Sequence, residues 1–182
     1  MLILISKPRE TKMQNEYWLN SADTIIAVGS GWDSFASENE GQAVVADLVV
    51  GRSLWDFIAG DPTRMWLSSI LTLARIGSTP VSRPYRCDSS TVKRFMNLEI
   101  FKEADERMHL VHTLVRTEPM ASPRSFTPTI SSGKKTMQRC SVCNRVNTST
   151  GWTDADHLDP SLGTPIAIIY AVCADCMRFM SR

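Results

Sequence analysis

The sequence has almost no net charge, because 20 Lys and Arg residues face 19 Asp and Glu residues and leave a formal charge of +1. This balance provides no overall electrostatic attraction to nucleic acid or to an anionic membrane. Long apolar runs are also missing: residues 1–5 are apolar, but Lys7 and Pro8 follow, and the run is too short to cross a bilayer. The basic start and cleavage region of a signal peptide are absent too. We therefore expect a cytoplasmic protein that associates with no membrane and whose partner is not nucleic acid.

Motifs of catalysis are missing as well. The chain contains no G-x-S-x-G, no phosphate-binding P-loop and no H-E-x-x-H sequence. Two of its three histidines, His109 and His112, fall on one predicted strand at an odd spacing, so at most one can face an interior. Haem usually requires an axial histidine, and the predicted long helix has none. We therefore expect neither an enzyme nor a haem protein.

Cysteines form the most informative pattern in the chain. Four of the five cysteines make two C-x-x-C pairs, Cys140 with Cys143 and Cys173 with Cys176. Two intervening residues let both sulfurs of a pair converge on one ion, and residues 144–172 suffice for a hairpin that returns the second pair to the first. Four thiolates at tetrahedral corners suit a closed structural zinc site. The spacing therefore predicts a zinc ion (Zn²⁺) on these four cysteines.

Other interpretations of the cysteines remain open. The pairs could form disulfides in a thiol redox sensor, or the zinc module could contact phosphates in a nucleic-acid-binding regulator. His157 could replace one thiolate or contribute to an open zinc site, although four cysteines already complete the shell. Cys87 stands alone, and an odd number of cysteines with metal-type spacing favours a reducing compartment over a disulfide framework.

A change in composition divides the chain. Residues 118–136 are dominated by Pro, Ser, Thr and Gly, which predicts an extended linker with few buried contacts. The linker separates a body at 17–117 from a cysteine-rich, zinc-binding module at 137–182. Too few apolar residues surround the cysteines for this module to fold without a metal. Within it, residues 166–172 are predicted to form a strand that leads into the second cysteine pair.

The body is predicted to be α+β. A strand is expected at 23–28, and the strongest helix begins at Asp61-Pro62, because Asp favours the N-cap and Pro the first turn, and ends at Gly77. Three strands that can pair as an antiparallel meander follow, with the helices on one face, at 81–88, 96–100 and 108–116.

This order of elements resembles the PAS sensor domain over residues 17–117. The matching pieces are IIAV at 25–28, WDSFA at 32–36 with Asn39, and VGRSLWDFI at 50–58, completed by the three last strands. The stretch PYRCDS at 84–89 is similar to one found in a bacterial PAS-like subgroup, and the cysteine pairs with Trp152 resemble cysteine tails of some bacterial sensory proteins. The resemblance implies a PAS-like antiparallel sheet with helices on one face, followed by a small zinc-ribbon-like module.

The resemblance also implies signal transduction without catalysis. A PAS fold encloses a small cavity, and the family senses a small-molecule ligand, a cofactor or a protein partner, which fold analogy alone does not identify. We therefore expect a ligand of unknown identity and either a protein partner or a homodimer. The expected cavity lies between the long helix and the last three strands, with six inward-facing candidates: Met65, Trp66, Ile70, Met96, Leu98 and Ile100.

Overall fold

The computed structural model describes residues 14–38, 41–129 and 136–179. The apolar residues 1–5 and Asn39, both used in the sequence analysis, lie outside this part. The described chain is α+β, with two five-stranded sheets and few helices. Within it, no helix combines the length and apolar character needed to cross a membrane.

The first sheet is fully antiparallel, and its strands run across it in the order β2-β1-β5-β4-β3. The three consecutive strands predicted from the sequence are confirmed, and the last two extend further than predicted. The sequence analysis missed the first strand, which lies between the second and fifth. The bounds are β1 Gln14–Leu19, β2 Ile25–Val28, β3 Val81–Arg86, β4 Val92–Lys102 and β5 Met108–Pro119.

Three helices connect β2 to β3: α1 Trp32–Glu38, α2 Ala46–Val49 and α3 Asp61–Ile76. The predicted long helix is confirmed, although Gly60 rather than Asp61 occupies its N-cap. Asp61 instead lies in the first turn, where a carboxylate complements the helix dipole. At the other end, Gly77 donates its backbone N–H to the Leu73 carbonyl and closes the last turn.

The main core lies between α3 and the sheet. Ile70 and Leu71 of α3 and Ile100 and Leu110 of the sheet are fully buried in one cluster of apolar side chains. Trp66 and Leu98 belong to the same cluster, whereas Met65 is 49% exposed. The predicted cavity behind the long helix is therefore wrong, because large side chains fill that space.

The second sheet is mixed and has the order β6-β10-β7-β8-β9. Strand β10 pairs in parallel with both β6 and β7, whereas β8 pairs antiparallel with β7 and β9. The strand predicted before the second cysteine pair is confirmed as β10, and a short helix, α4, follows it. The bounds are β6 Phe126–Pro128, β7 Met137–Cys140, β8 Val146–Thr148, β9 Gly151–Thr153, β10 Ile166–Ala171 and α4 Ala174–Arg178.

Residues 118–129 do not have the few buried contacts expected of a linker. Strand β5 continues to Pro119, Met120 is buried, and β6 is an edge strand of the second sheet. Arg124 is 6% exposed and donates to the carbonyls of Leu158 and Asp159. The polar composition hid this packing, because backbone pairing, one buried arginine and two isolated apolar side chains, Met120 and Phe126, hold the segment.

The two sheets are joined by a shared core. Cys140, Val142, Cys173 and Cys176 belong to the same cluster of buried side chains as Ile70. Close backbone approach adds to this contact at Gly60, whose φ is +83° and where a Cβ atom would lie 3.0 Å from Tyr170 of β10. A side chain at Gly60 would be strained by the backbone and would press against Tyr170.

Polar contacts reinforce the same junction. The backbone N–H of Arg86 donates to the Val142 carbonyl at 2.8 Å, and Asn144 Nδ2 donates to the Arg86 carbonyl at 2.9 Å. The Arg86 guanidinium pairs with Asp154 and with Asp88, whose side chain is fully buried. Nearby, Lys93 Nζ lies 2.8 Å from Asp156. These side chains are mostly buried, so each charge depends on its partner.

Candidate metal centre and neighbouring cleft

The first cysteine pair sits on a tight turn that follows β7. Cys140 ends the strand, its N–H donates to the Arg145 carbonyl at 2.8 Å, and the Asn144 N–H donates back to the Cys140 carbonyl at 2.9 Å. Asn144 has a φ of +60°, a left-handed conformation that Asn tolerates better than most residues. The turn therefore directs the sulfurs of Cys140 and Cys143 toward one point.

The second cysteine pair spans the start of α4. Cys173 follows β10 and occupies the N-cap of the helix, and Cys176 lies within it. The N–H of Met177 donates to the Cys173 carbonyl at 2.9 Å, which fixes the turn that holds both sulfurs. Because β10 pairs in parallel with β7, both strands deliver their cysteines to the same end of the second sheet.

The four sulfurs meet in one cluster and lie within 4.8 Å of one another. Cys140, Cys173 and Cys176 are buried and Cys143 is half-buried. The Sγ atoms of Cys143 and Cys173 are 3.7 Å apart, whereas a disulfide would bring two sulfurs to about 2.05 Å. A tetrahedral ion with metal–sulfur bonds of about 2.3 Å would place its sulfurs about 3.8 Å apart. The cluster therefore fits a metal ion bound by four cysteine sulfurs.

Hydrogen bonds to sulfur tune the cluster. Side-chain hydrogen bonds with Cys140 and Cys176 lower the pKa of the Cys143 thiol far below its usual range, and Arg145 contributes to the same shift. Hydrogen bonds with Cys140 and Cys143 raise the pKa of Cys176 in turn. Cys143 is thus the thiol that ionises most readily. Its negative charge opposes ionisation of Cys176, as expected where several sulfurs lie close together. A cation at the centre would remove that opposition.

Arg145 compensates negative charge at the cluster. Its Nε lies 3.3 Å from Cys143 Sγ, one terminal nitrogen lies 3.8 Å from Cys173 Sγ, and Asp175 holds the guanidinium at 2.9 Å. The backbone N–H of Cys173 also points at Cys140 Sγ, at 3.4 Å. Contacts of this kind orient metal ligands from outside the coordination shell. His157 is exposed and is not among the clustered ligands.

Next to the cluster, an open cleft of about 900 Å³ lies between the two sheets and α1. Its lining includes Trp32 and Phe35 of α1, Tyr17 and His112 of the first sheet, and Phe126 of β6. The cleft is therefore built jointly by the body and the segment that was expected to be a linker. Among the six inward-facing candidates named from the sequence, Met96 lines this cleft.

The two histidines of β5 lie on opposite faces of the sheet, as their spacing predicted. His112 faces the cleft, where Nδ1 lies 2.7 Å from the Tyr85 hydroxyl and the ring stacks on Tyr17. Burial lowers the pKa of His112 to about 4, so the ring is neutral at neutral pH. His109 lies on the other face, stacked on Trp18 with Nε2 at 2.8 Å from a Glu16 oxygen.

Comparison with known proteins adds little. No protein-family model matches the chain, and no curated protein matches it. Among solved structures, a domain of an HTR-like protein from Haloarcula marismortui ATCC 43049 is similar over 57% of this chain and 98% of that chain, at 15% identity and a TM-score of 0.40. At this degree of likeness we argue neither fold nor function from that protein.

The sequence singled out the cysteines but not the cleft residues that come from the second sheet. Arg139 of β7 and Phe126 of β6 line it from the second sheet, and nothing in the local sequence marks them. Cys87 also lines the cleft, and burial raises the pKa of its thiol. The alternation of β1 was a usable signal for Tyr17, since Tyr17 and Leu19 are buried and point to one face.

Proposed function

We propose that this chain is a cytoplasmic, non-catalytic signalling protein in which a PAS-like body senses a small molecule and a structural zinc ion secures the attached module. The observation that carries the proposal is the four-sulfur cluster, which lies in the same core as the sensory body. Metal binding by this cluster would contribute to the fold of the entire molecule, not of an isolated tail.

Zinc is the metal that four thiolates favour. Sulfur ligands select zinc, copper(I) or iron–sulfur chemistry, and a tetrahedral set from two C-x-x-C turns is typical of structural zinc. Four cysteines fill the shell, so no position is left for a substrate or an activated water. A zinc ion with four thiolates has a net charge of −2, which the neighbouring Arg145 partly offsets.

The PAS-like assignment of the body is supported by its topology. The resemblance implies an antiparallel sheet with helices that precede three consecutive strands, and the fully antiparallel first sheet, with its three α-helices between β2 and β3, agrees with that expectation. The cleft beside α1 offers the space for a ligand, because binding sites of about 300–1,000 Å³ hold small molecules. Sensing would then consist of ligand binding that alters contact with a protein partner or a second copy of the chain.

The two alternatives from the sequence make different demands. A thiol redox sensor is favoured by the low pKa of Cys143 and requires disulfides in place of metal. A nucleic-acid-binding regulator requires a basic surface on the zinc module, but Arg145 of that module is held by Asp175 and the net charge of the chain is only +1. The metal-bound sensor requires neither disulfides nor a basic surface.

Native mass spectrometry of the full chain, purified anaerobically without added metal, tests the proposal. We expect one zinc ion per chain and a bound small molecule in part of the population. A Ser90→Trp variant, which fills the cleft wall, should lose the small molecule and keep the zinc. Ser161→Trp, an exposed serine away from the cleft, is the matched control and should keep both. Metal-free chains with two disulfides would instead establish the redox alternative.

A further inference from the structure

Two arginines reach into the cleft from opposite sheets. Arg94 of β4 and Arg139 of β7 both line it, as does Cys87, whose thiol both guanidinium groups influence electrostatically. Neither forms an ion pair with a carboxylate within residues 14–38, 41–129 and 136–179. Arg139 lies over the Phe126 ring at 4.1 Å, and its Nε makes a long contact, 3.5 Å, to the Asn144 carbonyl. Arg94 makes a contact of the same length to the Cys87 carbonyl.

Acidic groups in the cleft do not neutralise this pair. Asp88 lines the cleft, but its carboxylate accepts from the Arg86 guanidinium and from the backbone N–H of Arg94. Glu38 is exposed at the end of α1 and forms no ion pair within the described chain. Each guanidinium group has one long contact to a backbone carbonyl and therefore keeps most of its donors available for an anion. Their planar forks suit a carboxylate, which can accept two parallel hydrogen bonds.

Asn15 presents an acceptor in the same cleft. Its Oδ1 is buried and has no hydrogen-bond partner in the part of the chain that the structure describes. Asn15 shares a narrow recess with Arg94, Phe35, Met96 and His112. An unbonded buried carbonyl oxygen carries a desolvation cost that a ligand donor would relieve. The recess thus requires an N–H or O–H group on its occupant.

Aromatic rings supply the remaining surface. Trp32 and Tyr17 are edge to face with centroids 5.9 Å apart, and Phe35 and Phe126 extend the same lining. The indole N–H of Trp32 is already used by the Val44 carbonyl at 2.7 Å, and the Tyr85 hydroxyl by His112. These rings therefore offer flat apolar faces, which suit a flat apolar ligand.

We propose that this cleft binds an aromatic carboxylate that carries a ring N–H or hydroxyl donor. Arg94 and Arg139 hold the carboxylate, Asn15 accepts the donor, and the aromatic walls cover the ring. The inference rests on the proposed sensory function and gives it a ligand class. Because β7 contributes both Arg139 and Cys140, the ligand site and the metal cluster share one strand.

A set of four matched indoles tests the ligand class on the zinc-loaded full chain. Indole-3-acetate carries both the anion and the donor, indole-3-acetamide lacks the charge, 1-methylindole-3-acetate lacks the donor, and tryptamine reverses the charge. Dissociation constants are measured by ligand-observed NMR titration. We expect indole-3-acetate to bind about tenfold more tightly than the amide and about fivefold more tightly than the methylated acid, with tryptamine weakest.

Variants locate the site. Arg94→Gln and Arg139→Gln should each weaken indole-3-acetate about tenfold, since each removes a charge-assisted contact. Arg107→Gln removes a positive charge from the turn between β4 and β5, outside the cleft, and should leave the affinity unchanged. Arg139→Lys keeps the charge beside the metal cluster and should retain part of the affinity. Asn15→Ala should abolish the difference between the acid and its methylated analogue.

Several results would overturn the proposal. Equal binding of the acid and the amide would show that only the ring is recognised, and wild-type affinity in both Arg→Gln variants would place the site elsewhere. If inorganic phosphate competed as strongly as the carboxylate ligand, the site would be a phosphate site and not a carboxylate site. No binding of indole-3-acetate at several millimolar would also refute the ligand class. The proposed sensory function has its own test. It would be refuted if native mass spectrometry found no zinc in the wild type and no bound small molecule that the Ser90→Trp variant loses.

Discussion

Truncating Val142 should destabilise both sheets together. This side chain lies in the turn between the first two cysteines, is 5% exposed, and belongs to the core that contains Ile70 of α3. Val142→Ala removes the buried surface of two methyl groups, and the lost transfer free energy lowers the free energy of unfolding by about 1.6 kcal/mol. The cavity left behind raises this loss to about 2–3 kcal/mol. The backbone carbonyl of Val142, which accepts from Arg86, is retained in the variant.

The assay follows unfolding in urea with two probes. Release of zinc to a chromophoric chelator reports the cysteine module, and far-ultraviolet circular dichroism, dominated by the larger body, reports the rest. We expect coincident transitions in the wild type and an equal shift of both in Val142→Ala. Val115→Ala is the matched control, because Val115 is 51% exposed and its truncation should change the free energy of unfolding by less than about 0.5 kcal/mol. Earlier zinc release with an unchanged body transition would refute the shared core.

Three further predictions concern other parts of the molecule. Ala74 is 2% exposed in the filled core, so Ala74→Leu should lower the free energy of unfolding by about 1–3 kcal/mol without weakening a cleft ligand, as thermal denaturation and titration would show. Since the folded-state pKa of His112 is lowered to about 4 from its ordinary 6.5, folding should lose stability as pH falls from 6.5 toward 4, and NMR titration should give His112 that low value; a pKa near 6.5 would contradict its enclosure. Lys93→Met should cost about 3–5 kcal/mol by leaving the buried carboxylate of Asp156 unpaired, whereas Arg107→Met, at an exposed pair, should cost under about 1 kcal/mol.

The cysteine cluster could be anticipated because its geometry is local. Two residues between cysteines fix the turn, and the position of the second pair after a predicted strand fixes the direction of approach. The long helix was equally predictable, because Pro62 near its start and Gly77 at its end mark the helix boundaries within a few residues. Such features depend on short-range sterics and hydrogen bonding, which a sequence displays directly.

The second sheet and its docking could not be anticipated in the same way. Strand β6 has only the residues Phe126, Thr127 and Pro128, and its pairing with β10 depends on a partner some forty residues away in the sequence, which local patterns do not report. Arg86 and Asp154 illustrate the same limit, because each looks like an ordinary surface charge until the fold brings them together. Residues 118–129 were misassigned for this reason, and the boundaries of the units remain a prediction.

X-ray absorption at the zinc edge, on the full chain purified anaerobically without added metal, tests the central claim most directly. The four-sulfur cluster predicts one zinc ion per chain with four sulfur neighbours at about 2.3 Å and no nitrogen or oxygen neighbour. Cys173→Ser should replace one sulfur by a lighter neighbour or empty the site. A wild-type shell with nitrogen or oxygen ligands, or a protein that contains no zinc and carries disulfides between these cysteines, would contradict the structural zinc site.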